Sequence, residues 1–206
     1  MTIKTLNIQN KLNSDMEISR EVRTIIILIS VFTASMIIGS GSVNLQQNSA
    51  DIIKFTEYWI ITRSDLNFLR IIIISFMTNF IFNLIIFISG FNCMGTPLNL
   101  ILLIIKGLGY GYTAGYLFTQ SAKGIGYYII NIVPANIIFI TCIILNITYS
   151  IILSGDIRTC ISENIKLNEN SINNYIKKFI IINIIILFAC IIEASTSKLY
   201  TYLFFF

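Results

Sequence analysis

Histidine is absent from the 206-residue sequence, and charged residues make up only 12% of it. The missing histidine excludes His-based zinc sites, Ser-His-Asp triads and the HExxH class of metalloproteases. A soluble domain usually carries about 25% charged residues. Each charge at the centre of a bilayer costs about 2.5–3.5 kcal/mol on insertion scales, so a low charge content is typical of a chain with several membrane spans.

Cysteine and proline are also scarce, with four and two residues respectively. No two cysteines form a C-x-x-C motif, which argues against a metal site and against a disulfide framework. No nucleophile–base pair is recognisable either, so we expect a protein that is not an enzyme and uses no cofactor. Membrane lipid is an expected partner, and nucleic acid is not.

Hydrophobic residues make up 55% of the chain, and the mean hydropathy is +0.80. Apolar runs long enough to cross a bilayer, about 20 residues each, recur along it. The sequence predicts an all-α membrane protein, a bundle of about five transmembrane helices with an outer interfacial helix. Residues 1–21 form a cytosolic tail in this interpretation, and the membrane domain is 22–206, with spans at about 22–43, 66–89, 97–118, 127–153 and 179–200.

The loop between the first two spans, residues 44–65, predicts the interfacial helix. Ile52, Phe55 and Trp59 follow one another at helical spacing, and a tryptophan ring favours the headgroup level of a bilayer. Anchoring to the membrane is the default interpretation of this face, and a partner-binding surface is the alternative.

The distribution of basic residues predicts the orientation. When the N-terminus is placed inside and the C-terminus outside, the inner segments carry more lysines and arginines than the outer segments, as the positive-inside rule requires. The inner group comprises Lys4, Lys11, Arg20, Arg23, Arg158, Lys166, Lys177 and Lys178, and the outer group comprises Lys54, Arg63, Arg70, Lys123 and Lys198.

Small residues mark the third span as a packing element. Gly107, Gly111 and Gly115 are spaced i, i+4, i+8, so a helix places them on one face, where a neighbouring helix can approach closely. In the fourth run, Pro134 removes a backbone donor and predicts a kink or a broken helix. Both features are interpreted as helix packing without chemistry.

Polar side chains occur inside the predicted spans. Ser75, Asn79 and Asn83 are four residues apart and form one stripe of the second span. Amides in this setting usually hydrogen-bond to another helix, and lining a polar path is the alternative.

Two charged residues, Lys106 and Glu193, lie deep in the third and fifth spans. At about 1.5 Å per residue, their Cα atoms are roughly 14 Å and 21 Å from the inner surface. Because intramembrane charges usually face the bundle and pair, we predict that these spans are neighbours and that the two side chains form a buried pair. The alternative is that Lys106 snorkels and that Glu193 is protonated or bonded to the backbone.

The segment GTPLNLILLIIKGLGYGYTAGYL, followed about a dozen residues later by NIVPANII, resembles the stage II sporulation protein M family. The matching elements are the proline that opens a span, the K-G pair, the glycine ladder and the proline–x–amide element. Glu193-Ala194 resembles the acidic residue of that family's final helix. The order of tail, span, outer loop and four further spans is also similar.

The resemblance implies a multi-pass protein of the septal membrane in endospore formation. It implies a scaffold that holds two extracytoplasmic peptidoglycan-remodelling enzymes, the sporulation proteins D and P, during engulfment. It implies no catalytic residues. An accessory role in circular bacteriocin maturation, export or immunity is the alternative, since related membrane proteins occur there, and an intramembrane enzyme is the third class considered.

Overall fold

The computed structural model describes residues 2–45, 66–120, 122–163 and 169–205. Six α-helices occupy these residues, and a π-helical turn, Tyr128–Ile132, joins the fourth to the fifth. They are α1 (Thr2–Leu45), α2 (Phe68–Ser89), α3 (Gly95–Gln120), α4 (Ala122–Tyr127), α5 (Val133–Glu163) and α6 (Glu169–Phe205). The predicted all-α class is confirmed.

Five helical stretches are long and apolar enough to cross a membrane, which confirms the predicted number of spans among the described residues. They are Ser19–Val43, Phe68–Ser89, Gly95–Thr119, Gly124–Glu163 and Glu169–Leu199. α1 has 44 residues, a length of about 66 Å against a ~30 Å hydrocarbon core, so it extends well beyond its span. The predicted tail and first span therefore belong to one helix, whereas the predicted interfacial helix lies almost entirely outside the described residues.

α5 is the central helix of the bundle. Of its most apolar stretch 56% is buried, against 22–33% for the other spans. The main core cluster draws Leu28 from α1, Ile86 from α2, Leu103 from α3 and Ile147 from α5. Large apolar side chains on the other helices point outward, as a lipid-facing surface requires.

α3 packs most extensively against α1, while α6 packs against α5 and α2. Among the described residues, α3 and α6 do not pack along each other. Instead, α2 and α5 each contact both of these helices. The structure therefore differs from the prediction that the third and fifth spans are direct neighbours.

Two ion pairs join three helices near the ends of their spans, on one side of the bundle. Arg20 Nη1 of α1 lies 3.1 Å from Asp156 Oδ1 of α5, and Lys178 Nζ of α6 lies 3.4 Å from Glu21 Oε1 of α1. The Lys178 ammonium also stands 3.8 Å from the centroid of the Tyr149 ring. Such partly exposed pairs contribute about 0–1 kcal/mol each, so their main consequence is to align the helix ends.

Candidate functional site

A cavity of about 350 Å³, mainly apolar but with several polar side chains in its walls, lies among α2, α3, α5 and α6. Its walls combine hydroxyl and amide side chains with the two charged residues found deep in the spans, and isoleucines surround them. The polar lining residues are Ser75, Thr78, Asn79, Lys106, Tyr110, Thr113, Asn136 and Glu193. The structure thus brings together four of the five intramembrane polar residues singled out in the sequence, all except Asn83.

Lys106 is partly buried and lies between aromatic rings. Its Nζ is 4.9 Å from the centroid of the Phe82 ring and 5.4 Å from that of the Tyr110 ring. Cation–π contacts of this kind contribute about 0.5–2 kcal/mol, more when water is excluded. They hold the ammonium at the cavity wall, which differs from a side chain extended to the membrane surface.

Glu193 reaches the same cavity from α6 although α3 and α6 do not pack on each other. Its carboxylate interacts electrostatically with the Lys106 ammonium and lies close enough to influence Tyr110 as well. An amino group and a carboxyl group therefore line the same cavity. The sequence contained a signal for Tyr110, which follows Lys106 by one helical turn, but that residue was missed.

The polar stripe of α2 divides between two roles. Asn83 is fully buried, and Asn146 Nδ2 of α5 donates to its Oδ1 at 2.9 Å and to its backbone oxygen at 3.0 Å. Asn79 instead donates from Nδ2 to the backbone oxygen of Ser75 on its own helix and lines the cavity. Only Asn83 makes the cross-helix bond expected of both.

A second polar cluster, which the sequence reasoning missed, lies where α2 turns into α3. Ser89 Oγ donates to Asn99 Oδ1 at 2.6 Å, and Asn99 Nδ2 donates to Ser150 Oγ at 2.8 Å. All three residues are buried. Tyr175 of α6 joins them by donating from its hydroxyl to the Phe87 backbone oxygen at 3.0 Å. The sequence signal for this cluster was Asn99, a lone amide in the apolar run that follows Pro97.

The glycine ladder faces α1 and lies on a different side of α3 from the cavity-lining Gly109. A Cβ at Gly107 would lie 2.8 Å from Ser35 Cβ, and one at Gly115 would lie 2.8 Å from the Ser40 backbone oxygen. A Cβ at Gly111 would meet the backbone oxygen of Met36. These glycines let the two helices approach to backbone contact.

Gly39 of α1 also allows a close approach to α3, which the sequence reasoning did not identify. A Cβ at Gly39 would meet the Leu108 backbone oxygen and would lie 2.9 Å from Leu108 Cα. The two helices run parallel, since increasing residue numbers on α1 face increasing numbers on α3. Small residues thus contact backbone from both sides of one interface.

Pro134 lies two residues after the end of the π-helical turn. The Val133 N–H donates to the Tyr128 backbone oxygen, five residues back, so the backbone changes register just before the residue that lacks a donor. The span continues from Gly124 to Glu163, and the expected interruption takes the form of this turn. Within it, Asn131 accepts a hydrogen bond at Oδ1 from Thr196 Oγ1 of α6, at 3.2 Å.

The suggested partner surface of Ile52, Phe55 and Trp59 lies outside the described residues. Nothing in the structure therefore bears on that hypothesis.

The five apolar spans and the outward-facing apolar side chains define a multi-pass helical membrane protein. The family model of stage II sporulation protein M matches residues 26–198, and the chain belongs to this family. The resemblance seen in the glycine and proline motifs is thereby confirmed, and the protein is a membrane protein of a sporulation family. No curated protein and no solved structure matches the chain.

Proposed function

We propose that the protein is a non-catalytic membrane scaffold that holds extracytoplasmic peptidoglycan-remodelling enzymes during engulfment in endospore formation. The observation that carries this proposal is the family match over residues 26–198, which includes most or all of each span. The enzymes that the family resemblance implies as partners are the sporulation proteins D and P. The site of action is then the septal membrane.

The way in which the helices are joined supports a scaffold role. Asn83 and Asn146 link α2 to α5, and the Ser89–Asn99–Ser150 cluster links α2, α3 and α5. Interhelical hydrogen bonds in membranes contribute about 0.6–2 kcal/mol each and fix which helix faces meet. A bundle joined in this way offers attached proteins a fixed platform.

We place the N-terminus inside the cell and the C-terminus outside. The end of the bundle with the Arg20–Asp156 and Lys178–Glu21 ion pairs carries most of the basic residues, and the positive-inside rule assigns it to the cytoplasm. Residues 46–65 follow the opposite end of α1 and are the longest outer segment in this topology. They are the proposed docking segment for the outer enzymes.

Co-purification from sporulating cells tests the proposal. A tagged protein should retain the two wall enzymes, whereas the Ile52→Ala/Trp59→Ala variant should lose most of them while still inserting into the membrane. Ile161→Ala is the control for the loss of an exposed isoleucine, because Ile161 is 64% exposed at the end of α5 that this topology assigns to the cytoplasm.

Full retention of both enzymes by the double variant would remove residues 46–65 as the docking segment. Absence of both enzymes from the unmodified complex would contradict the scaffold function itself. In that case, genes for a small cationic hydrophobic peptide and an ATPase beside this one would favour the bacteriocin role.

A further inference from the structure

The cavity among α2, α3, α5 and α6 contains two ionisable side chains, which a scaffold role does not require. The Lys106 ammonium and the Glu193 carboxylate both line it, and they belong to helices that do not pack along each other. Thr78, Tyr110 and Asn136 add hydroxyl and amide groups to the walls. Charges are costly in a membrane unless they face a partner or a polar space, and here both side chains line one cavity within electrostatic reach of each other.

The two charges restrict what the cavity can hold. An acyl chain would leave both charges in contact with hydrocarbon, which is the costly arrangement. An anion alone would be attracted by Lys106 and repelled by Glu193, and a cation alone would meet the reverse. A group that carries both signs a few ångströms apart satisfies both residues at once, through charge-assisted hydrogen bonds.

Part of the cavity lining is exposed on the outside of the bundle. Ile74 of α2 and Ile105 of α3 are 48% and 57% exposed, and a Cβ at Gly109 would meet no atom within 4 Å. The cavity is therefore open beside these residues, and because both helices cross the membrane, the opening faces the lipid. A volume of about 350 Å³ is at the small end of the roughly 300–1,000 Å³ typical of ligand pockets.

We propose that this cavity binds a zwitterionic group with a primary ammonium and a phosphate or carboxylate. The anionic part lies against Lys106, and the ammonium lies against Glu193. Two sources offer this chemistry: the headgroup of phosphatidylethanolamine, whose acyl chains would occupy the opening toward lipid, and a free zwitterion such as an amino acid. The proposal is independent of the scaffold function.

The test measures binding to the purified full-length protein in detergent by native mass spectrometry. The probes are phosphatidylethanolamine, phosphatidylglycerol with the same acyl chains, glycerophosphoethanolamine and alanine. The unmodified protein should bind phosphatidylethanolamine about tenfold more tightly than phosphatidylglycerol, the gain expected from one additional charge-assisted hydrogen bond. Tight binding of glycerophosphoethanolamine or alanine instead would identify the aqueous source and would also support the zwitterion site.

Two variants assign the halves of the ligand. Glu193→Gln should abolish the preference for phosphatidylethanolamine over phosphatidylglycerol while retaining phosphate binding, whereas Lys106→Met should weaken both lipids by about tenfold. The matched controls are Glu163→Gln and Lys177→Met, which remove an exposed charge of the same sign outside the cavity and should change neither value.

The double variant Lys106→Met/Glu193→Gln guards against misfolding, since it leaves no single stranded charge. This double variant should fold, and it should show no preference between phosphatidylethanolamine and phosphatidylglycerol. Competition on the unmodified protein gives a readout that needs no variant, because glycerophosphoethanolamine should displace phosphatidylethanolamine if the headgroup is what binds. Equal affinity for the two lipids in the unmodified protein, together with no binding of the soluble zwitterions, would overturn the proposal.

Discussion

Replacing Gly111 by alanine tests the backbone contact between α1 and α3 most directly. The added Cβ would meet the Met36 backbone oxygen and would lie 2.8 Å from its carbonyl carbon and 2.9 Å from its Cα. Contacts under 3.0 Å with backbone cannot be relieved by a rotamer change, so one helix has to move away from the other. Gly107 and Gly115 would lose their close packing in the same movement.

Gly109→Ala is the matched control, because its Cβ would have no atom within 4 Å. Both substitutions gain the same preference of alanine over glycine in a helix, about 1 kcal/mol. The difference between the variants therefore isolates the steric term. Overpacking typically costs about 1–3 kcal/mol, and a clash against backbone belongs at the upper end of that range.

Thermal unfolding in one detergent measures the difference. At about 2–4 °C per kcal/mol for a chain of this size, a clash of about 3 kcal/mol places the Tm of Gly111→Ala roughly 6–12 °C below that of Gly109→Ala. Gly111→Leu should lose folded protein altogether. Equal melting temperatures for the two alanine variants would show that the glycine face meets lipid rather than α1.

Two further predictions concern the orientation and the intramembrane charges. With the four natural cysteines replaced by serine, an impermeant maleimide should label a cysteine at Ser49 in intact protoplasts and one at Asn168 only after lysis; the reverse pattern would invert the topology. Lys106→Met alone should destabilise the protein by about 3 kcal/mol more than its combination with Glu193→Gln, because the single change strands a buried charge. Additive losses in that double-mutant cycle would show that the two charges are not coupled.

The existence and position of the spans could be predicted from the sequence because hydropathy is a local property. A stretch of about 20 apolar residues is confined to the bilayer whatever its neighbours are, and only a helix satisfies its backbone there. The same local logic singled out Lys106 and Glu193 as intramembrane charges, since a charge in an apolar run is conspicuous. The glycine spacing likewise predicted a packing face on α3, because that spacing alone places the three residues on one side of a helix.

The pairing of helix faces was decided only by the tertiary structure. A membrane helix is apolar on nearly every side, so no hydrophobic stripe indicates which face turns inward or toward which partner. The sequence could not show that α1 receives the glycine ladder, that Asn83 bonds to Asn146 while Asn79 bonds to its own helix, or that Pro134 is accommodated by a π-helical turn. The cavity is a result of that pairing. Lys106 of α3 and Glu193 of α6 both line it, although these two helices do not pack on each other.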